Sequence, residues 1–416
     1  MKIHHSKDII KHSYFICRMK PELMAPASDR ISLRAAIDAG ADAVYLGVKE
    51  LNMRITSKNF SSDELEEVVG LCHEKGVKTY LTLNTIIYEE ELESMRRIVK
   101  KARDAKVDAV ICWDMSVVSE AKKEGLPVFL STQASVSNSR SAEFYKELGV
   151  SRIVLARECK LEDIRMIKDK TGIEIEIFIH GAMCVSVSGR CFISQYLFNK
   201  SANRGDCLQP CRRSYIIKDP EEGHELELGK DYVLSPKDLC TMMFIDKLMD
   251  AGADSLKIEG RARSPEYVKT VTSAYREAID LHSEGKLTRE KKEKLLQELK
   301  TVFNRGFSEG FYMQRPISDW TDAYGSKATT RKEYAGIVAN FYKDISVAEI
   351  KLQSSGLKKG DQIMIQGETT GIVEQEAGSM QKDHKEIDSA DKGESIGLKM
   401  DKLVRINDKV YKIIPA

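Results

Sequence analysis

Short runs of apolar, often β-branched residues alternate along the chain with longer segments in which apolar residues recur at helical spacing, from residue 22 to about residue 283. This pattern predicts strand–helix units around a parallel sheet. The strand-like runs are ELMAP (22–26), AVYLGV (43–48), TYLTLNT (79–85), AVICWD (109–114), PVFLST (127–132), RIVLAR (152–157), EIEIFIHG (174–181) and SLKIEG (255–260). Eight such units predict a (β/α)8, TIM-like barrel, whose active site lies on the loops after the strand C-termini. An open doubly wound sheet is the alternative.

The seventh and eighth predicted strands are separated by roughly 70 residues, far more than is usual between neighbouring elements. Loops of this length generally carry function, and this one begins directly after a strand. We therefore expect an insertion over about 181–240 that lies on the catalytic face of the barrel.

The pattern changes beyond a strongly charged helix near residues 285–302. From about residue 333, short β-rich runs such as YAGIVANF (334–341) and DQIMIQG (361–367) alternate with glycine-containing turns. This predicts a small all-β barrel domain at 331–416, after a barrel domain at 19–330. We expect the polar stretch at 378–393 to be a mobile loop.

Residues 1–18 follow neither a helical nor a strand period and are expected to form an N-terminal extension. Met19 is an alternative start of translation. The histidines of the extension, His4, His5 and His12, are expected to belong to an exposed tail rather than to a metal site.

Composition narrows the class of protein. The 65 Lys and Arg against 64 Asp and Glu give a formal net charge of +1, so any affinity for nucleic acid must come from a local basic patch. No stretch approaches the ~18 consecutive apolar residues of a membrane helix, and the N-terminus lacks the apolar region of a secretory signal. We predict a cytoplasmic protein with no membrane partner. In that reducing compartment, nine cysteines indicate metal binding or catalysis rather than disulfides.

Four cysteines, Cys184, Cys191, Cys207 and Cys211, lie in the predicted insertion with the spacing C-x6-C-x15-C-x3-C. Thiolates that are gathered together need a cation, so this group predicts one metal centre. Only the second pair has the close spacing of a zinc turn, and the wider first gap favours an iron-sulfur cluster, with zinc as the alternative. Cys240 is either a fifth candidate ligand or a buried thiol.

Glycines and basic residues surround these cysteines. The glycines Gly181, Gly189 and Gly205 are expected to let the backbone approach sulfur. Residues 180–215 contain five basic side chains and one acidic one; they are Arg190, Lys200, Arg204, Arg212, Arg213 and Asp206. Such a loop can receive RNA phosphates or a carboxylate substrate, or it can offset the charge of four thiolates. Both interpretations stay open.

The segment from Glu176 to Ser194 follows the pattern E-x-F-x2-G-[AS]-x-C-x4-G-x-C-x-I-S, which resembles the signature of the U-thirty-two peptidase family, the collagenase-like peptidases. Further segments that resemble the family are APAS (25–28), DAVYLGV (42–48), STQAS (131–135), SANRGDCLQPCR (201–212) and SLKIEGRARSPEYV (255–268). The resemblance covers about residues 20–330, and the C-terminal β-domain resembles one that a subset of members carries.

This resemblance implies two kinds of function. The family name records proteolysis, whereas other members are oxygen-independent hydroxylation proteins that carry a 4Fe-4S cluster on four cysteines. Their substrates are tRNA wobble uridine, ribosomal RNA cytidine or the ubiquinone ring. Length and the C-terminal domain resemble the tRNA branch, which uses prephenate. The resemblance thus implies an enzyme that forms 5-hydroxyuridine in tRNA, with the cluster on the four cysteines of the insertion. Some relatives take one ligand from further downstream, which keeps Cys240 as an alternative.

Basic residues at strand ends and in the insertion are candidates for substrate binding. Arg157 and Arg261 are expected to clamp a dicarboxylate such as prephenate by bidentate hydrogen bonds. In the insertion, the candidates are Arg190, Arg204 and Arg212. For Arg157 the structural alternative is an ion pair with the neighbouring Glu158.

Other polar residues at strand ends are candidates for recognition and proton transfer. Asn84 and Gln133 are expected to read a uracil edge, and His180 or Glu259 to move protons, with Arg261 beside them as part of the catalytic set. Asp114 lies on the same predicted face. The structural alternatives are a helix cap for Asn84 and an internal charge network for Glu259.

Two other functions remain open. A peptidase would need a nucleophile with its base, or an HExxH zinc helix, and the sequence has neither local signature. The third class is a scaffold or partner protein that holds a cluster for another enzyme. The sequence predicts no particular oligomeric state.

Overall fold

The computed structural model describes residues 20–228, 234–323 and 325–416. The predicted N-terminal extension, with His4, His5 and His12, lies outside the described residues. No helix in these ranges is long and apolar enough to cross a membrane.

Eight parallel strands close into a barrel. The strands of the first part of the described chain are β1 (Glu22–Pro26), β2 (Ala43–Leu46), β3 (Lys78–Leu83), β4 (Ala109–Cys112), β5 (Val128–Leu130), β6 (Arg152–Val154), β7 (Glu174–Gly181), β8 (Tyr215–Lys218), β9 (Glu225–Leu228), β10 (Asp238–Cys240), β11 (Ser255–Ile258) and β12 (Phe307–Ser308). Strands β1 to β7 pair in sequence order, and β11 pairs in parallel with both β1 and β7. The predicted TIM-like barrel is confirmed, and the open sheet is excluded.

Helices follow the barrel strands and cover them from outside. They are α1 (Arg30–Asp38), α2 (Leu65–His73), α3 (Leu92–Asp104), α4 (Met115–Lys123), α5 (Ser139–Glu147), α6 (Leu161–Thr171), α7 (Ile193–Phe198), α8 (Ile245–Asp250), α9 (Pro265–Ser283) and α10 (Arg289–Lys300). Their apolar faces and the outward-facing strand residues form one large core. A smaller core of apolar side chains, including Tyr45, Tyr80 and Phe129, fills the barrel itself.

Aspartates that precede the strands tie neighbouring strands together at the N-terminal end of the barrel. In the two Ala-Gly-Ala-Asp segments, Asp42 accepts a hydrogen bond from the backbone N–H of Leu23 (2.8 Å), and Asp254 accepts one from Ile175 (2.8 Å). Asp108 does the same for Thr79 (2.7 Å). The repeated motif therefore satisfies backbone donors where each strand begins.

The insertion after β7 contains regular structure. It holds α7 and the antiparallel hairpin β8–β9, and it ends at β10, which pairs antiparallel with β7 and parallel with β12. The backbone of Cys240 is thereby paired with that of His180. This short extension of the sheet anchors the end of the insertion to the barrel strand from which it departs.

The C-terminal region is an antiparallel sheet with its own core, which confirms the predicted all-β region. Its strands are β13 (Thr330–Tyr342), β14 (Val347–Leu352), β15 (Leu357–Lys358), β16 (Gln362–Gly367), β17 (Gly371–Glu376), β18 (Met380–Lys382), β19 (Lys385–Ile387), β20 (Ser389–Ala390), β21 (Ser395–Lys399) and β22 (Lys409–Pro415). The expectation of a mobile loop at 378–393 is wrong, because β18, β19 and β20 lie there and pair with other strands.

The C-terminal region packs on the outer helices of the barrel. Ala35 of α1 contacts Met364 and Ile372 in a small apolar cluster. Glu266 of α9 accepts hydrogen bonds from Lys332 (3.0 Å) and Gln366 (3.1 Å). The region thus covers the flank of the barrel formed by α1 and α9.

Candidate functional site

A group of charged residues lies at the C-terminal end of the barrel strands; Arg261 is buried, and the others are half-buried. Glu259 and Arg261 directly follow β11, Arg157 follows β6, and Arg54 comes from the loop after β2. Glu259 is within hydrogen-bond distance of Arg54, whose Nη2 lies 2.8 Å from Oε1. We call Arg54, Arg157, Glu259 and Arg261 the mouth group.

The mouth group holds Glu259 ionised. Burial alone would raise the pKa of this carboxyl, but the charges of Arg54, Arg157 and Arg261 and the Arg54 hydrogen bond hold the pKa at about 2. The hydroxyl of Tyr45 lies 3.5 Å from the other carboxylate oxygen. A carboxylate in this state does not take up a proton near neutral pH, so it orients the arginines instead.

The two arginines predicted to clamp a dicarboxylate are both at the mouth, but each has protein partners. Nη1 of Arg261 donates to Thr82 (2.9 Å) and Asn52 (3.1 Å), and burial lowers the pKa of Arg261 to about 10. Nη1 of Arg157 donates to the carbonyl of Ala182 (2.9 Å), and its guanidinium stacks 4.0 Å from the ring centroid of Phe178. The alternative ion pair of Arg157 with Glu158 is absent from the described contacts. The group has three cations and one anion.

The insertion packs closely against the barrel loops at this mouth. Gly205 has a φ of +90°, and a Cβ there would lie 2.4 Å from the carbonyl oxygen of Asn52. At Gly189, a Cβ would lie 2.8 Å from Cγ of Gln133. We expected these glycines to let the backbone approach sulfur. The structure instead assigns them to the close contact between the insertion and the barrel loops, which any larger residue would disrupt.

Arg204 ties the insertion to the barrel, and Arg212 joins two parts of the insertion to each other. Arg204 forms an ion pair with Glu91 and donates to the carbonyl of Ile86, next to the end of β3. Arg212 donates to Ser235 Oγ (2.8 Å) and to the carbonyl of Pro236 (2.7 Å). Both were predicted to bind substrate, and their guanidinium groups are engaged within the protein. Arg190 is exposed, with no hydrogen bond or ion pair from its side chain to the described residues.

The four cysteines of the insertion are close enough to influence one another. Burial raises the pKa of Cys207 and of Cys211, and charges on the other thiols of the group raise both further. A hydrogen bond from the N–H of Cys191 to Asn203 Oδ1 (2.9 Å) links the segment of the first pair to that of the second. Within the described ranges, no three His, Cys, Asp or Glu side chains converge on the position of one ion.

These thiols are adjacent to the mouth group. The charge of Cys207 raises the pKa of Arg54, after the larger effect of Glu259 and against the opposing effect of burial. Arg54 is therefore near both Glu259 and Cys207. It was not among the site residues predicted from the sequence. The unusually long connection between β2 and α2 was the signal that could have found it.

The side chains of Cys240 and His180 have partners other than the four cysteines and the mouth group, although the backbone carbonyl of His180 accepts a hydrogen bond from the N–H of Glu259 (2.9 Å). Both are buried, and Cys240 Sγ lies 3.8 Å from the hydroxyl of Tyr275. His180 Nδ1 lies 3.3 Å from that same hydroxyl, and its ring packs against Tyr267 and Phe307. Burial, with a smaller effect of Arg263, lowers the pKa of His180 to about 3. This environment keeps the imidazole neutral, without contact to the mouth.

Asn84 and Gln133 are brought together, as their predicted joint role requires, but they bond to each other. Asn84 Nδ2 donates to Gln133 Oε1 (3.2 Å), and Gln133 Nε2 donates to the carbonyl of Asn84 (2.5 Å). Asn84 Oδ1 accepts from the N–H of Met53 (3.1 Å) and so supports the loop that carries Arg54. Asp114 caps α4 by accepting from the N–H of Ser116 (2.9 Å).

Known proteins that are similar to this chain agree on one family, but their names describe two kinds of activity. The family model described as Peptidase family U32 matches residues 29–322. An uncharacterized protease of Methanocaldococcus jannaschii is 46% identical over 400 residues, covering 94% of this chain and 97% of the relative. A collagenase of Porphyromonas gingivalis is 41% identical over 403 residues, covering 94% of this chain and 97% of the collagenase. The tRNA hydroxylation protein P1 of Bacillus subtilis is 36% identical over 351 residues, with 83% of each chain covered. These names describe enzymes, as the sequence predicts.

Proposed function

The chain belongs to peptidase family U32, and on that premise we propose that it hydroxylates tRNA without molecular oxygen, forming 5-hydroxyuridine at the wobble position. The observation that carries the proposal is the position of four neighbouring thiols beside a half-buried, positively charged group, where the backbone at Gly205 contacts the loop that carries Arg54. Of the relatives above, tRNA hydroxylation protein P1 bears the name that fits such a site.

The proposed cofactor is a 4Fe-4S cluster on Cys184, Cys191, Cys207 and Cys211. The donor set supports it, because a 4Fe-4S cluster takes one thiolate at each iron and the four thiols lie near enough to one another for their charges to raise the pKa of Cys207 and of Cys211. When bound, such a cluster supplies one-electron chemistry. Cys240 is the alternative ligand, but its burial beside Tyr275 separates it from the other thiols.

The proposed co-substrate is prephenate, a dicarboxylate. The mouth group carries three guanidinium groups and one carboxylate, so its formal charge complements a dianion. Arg157 and Arg261 each use Nη1 for a protein contact, and these contacts fix the planes of the two guanidinium groups. Fixed guanidinium planes favour bidentate binding of carboxylates, because little side-chain entropy is lost when the ligand binds.

The protein residues then have defined tasks. Glu259 remains ionised and aligns Arg54, while Asn84 and Gln133 support the loop on which Arg54 lies. Arg204 holds the insertion against the barrel loops, and Arg212 stabilises the insertion internally. A mouth covered in this way limits the access of water to the reacting groups.

The test is nucleoside analysis of tRNA by mass spectrometry. The chain is expressed in a host whose own wobble-uridine hydroxylation genes are deleted. We expect 5-hydroxyuridine derivatives to appear with the native chain and not with Cys184→Ser, whereas Cys240→Ala retains them. Absence of the modified nucleosides in tRNA from cells that hold the soluble, iron-loaded native chain would contradict the proposal.

Proteolysis is the second candidate. Two relatives, each matched over 97% of its own length, are named as a protease and a collagenase. The partners of the described histidines do not support a hydrolytic nucleophile: they are Asp108, Tyr275, Glu222 and Asp250. Cleavage of gelatin by purified protein free of iron would favour this candidate over hydroxylation. A third candidate, a cluster scaffold, would hold the cluster but leave tRNA unmodified.

A further inference from the structure

The surface of the insertion next to the cysteines is unusually apolar for an exposed segment. Four large side chains are exposed there: Phe192 (60%), Tyr196 (87%), Leu197 (55%) and Phe198 (36%). Exposed apolar patches of this kind mark binding surfaces. With the exposed Arg190 and Arg213, we call them the aromatic face.

The aromatic face is built around α7, which buries only one residue, Ser194. The rings of Phe192 and Tyr196 are four residues apart in the sequence, and their centroids lie 6.5 Å from each other at an interplanar angle of 62°. Both rings therefore lie on the same side of the short helix. Ser194 Oγ accepts from the N–H of Leu208 (3.1 Å), which fixes α7 against the segment between Cys207 and Cys211.

Positive charge accompanies these rings without a balancing acid. The guanidinium of Arg213 lies 4.7 Å from the ring centroid of Phe198, and Arg190 has no ion pair with the described residues. The one acid of residues 180–215, Asp206, pairs with Lys200 (3.1 Å). Exposed aromatic rings interleaved with unpaired arginines complement a polyanion with planar groups rather than an apolar or acidic protein surface.

We propose that the aromatic face binds unpaired nucleotides of the RNA substrate by stacking their bases on Phe192 and Tyr196, while Arg190 and Arg213 contact the phosphates. The inference rests on the proposed function, since it concerns the same substrate. Bases inside a duplex are stacked on each other, so these rings select a single-stranded loop. Phe192 directly follows Cys191, and a base held there lies next to the candidate cluster.

The test measures the affinity of the iron-loaded full chain for a fluorescently labelled RNA hairpin with a seven-nucleotide loop, by anisotropy at fixed salt. We expect Tyr196→Ala to weaken binding about tenfold, or ~1.4 kcal/mol, because one stacked base is lost. Tyr196→Trp should bind like the native chain, because it keeps a stacking surface. The matched control is Phe144→Ala, which removes an exposed ring from α5 on the outer wall of the barrel. A duplex RNA of equal length should compete poorly.

The outcomes separate the two proposals. Iron content and the circular dichroism spectrum of each variant show whether it is folded and loaded. Equal affinity of the native chain and a loaded Phe192→Ala, Tyr196→Ala double variant would overturn the aromatic face as an RNA site, while tRNA hydroxylation could still hold. A change in oligomeric state without a change in RNA affinity would also overturn it and would assign the face to a second copy of the chain. No binding of the hairpin or of tRNA by the native chain would overturn both proposals.

Discussion

Among the described residues, two groups of charged side chains lie in the same barrel, one in its interior and one at its mouth, and they differ in how completely their charges are balanced. In the interior group, Arg152 pairs with Glu22 (2.5 Å), and Lys257 pairs with Glu176 (2.8 Å). At its edge, Glu174 pairs with Arg152 (2.9 Å) and Lys78 pairs with Glu22 (3.4 Å), so the numbers of cations and anions are equal. The mouth group has three cations and one anion. Both groups pack against aromatic rings, with Arg152 over Phe129 and Arg157 over Phe178.

This difference separates a structural role from a functional one. The interior group is balanced and buried, so it needs nothing else to be stable once the chain has folded. The mouth group keeps an excess of positive charge that no described acid neutralises, at the end of the barrel where ligands bind in this fold. Excess charge is costly where it is shielded from water, as it is at Arg261, and we interpret the mouth group as a site that binds an anionic ligand.

We expect the largest effect on stability from removing a negative charge from the interior group. Glu176→Gln leaves Arg152 and Lys257 with fewer negative partners in a buried place, and we expect the free energy of unfolding to fall by about 3–5 kcal/mol. Urea denaturation followed by circular dichroism measures this. The matched control is Glu143→Gln, because Glu143 pairs with the exposed Arg140 and should cost less than ~1 kcal/mol. Equal stability of the two variants would refute the structural role of the interior group.

The second effect concerns Glu259 of the mouth group. Glu259→Gln removes the anion that aligns Arg54, and we expect kcat/KM for tRNA hydroxylation to fall about 100-fold, or ~2.7 kcal/mol. Stability should fall less than in Glu176→Gln, because Arg54 is partly exposed and can be hydrated. The control is Glu158→Gln, an exposed glutamate beside Arg157 in the sequence. A variant that loses stability but keeps its activity would place Glu259 with the structural group.

The third effect concerns pH and His180, and it is absent at neutral pH. The unfolded chain protonates this residue below about pH 6.5, whereas the folded chain resists protonation down to about pH 3. Stability from the neutral imidazole is therefore present above pH 6.5 and is lost as the pH falls towards 3, by up to ~1.4 kcal/mol per pH unit. His180→Phe, which keeps an aromatic ring, should remove this part of the slope between pH 6.5 and 4.5 in urea denaturation. An unchanged slope would show that His180 titrates freely.

The strand pattern was sufficient to predict the barrel, because strands buried on both faces read as continuous apolar runs. Several predicted strands extended too far at their C-terminal ends. AVYLGV and RIVLAR contain strands that end at Leu46 and Val154, although the apolar residues that follow them are buried as well. The pairing of β10 with β7 could not be predicted, because three residues carry too little pattern and their partner is distant in the sequence.

The spacing of the four cysteines was sufficient to predict that they lie near one another, but the partners of the charged residues could not be predicted. Glu22 and Arg152 are 130 residues apart, and only the closure of the barrel brings them together. Arg54 lies in a loop with no local signature for the same reason. Arg204 and Arg212 were assigned to substrate from local charge alone, whereas their partners, Glu91 and the carbonyl of Pro236, are provided by the fold.

The most direct test of the central claim is the iron and acid-labile sulfide content of the chain after anaerobic purification. We predict about four iron and four sulfide per native chain, loss of both in Cys184→Ser, Cys191→Ser, Cys207→Ser and Cys211→Ser, and no loss in Cys240→Ser. One zinc per chain, or iron lost with Cys240→Ser and kept with Cys211→Ser, would contradict the assignment of the four cysteines.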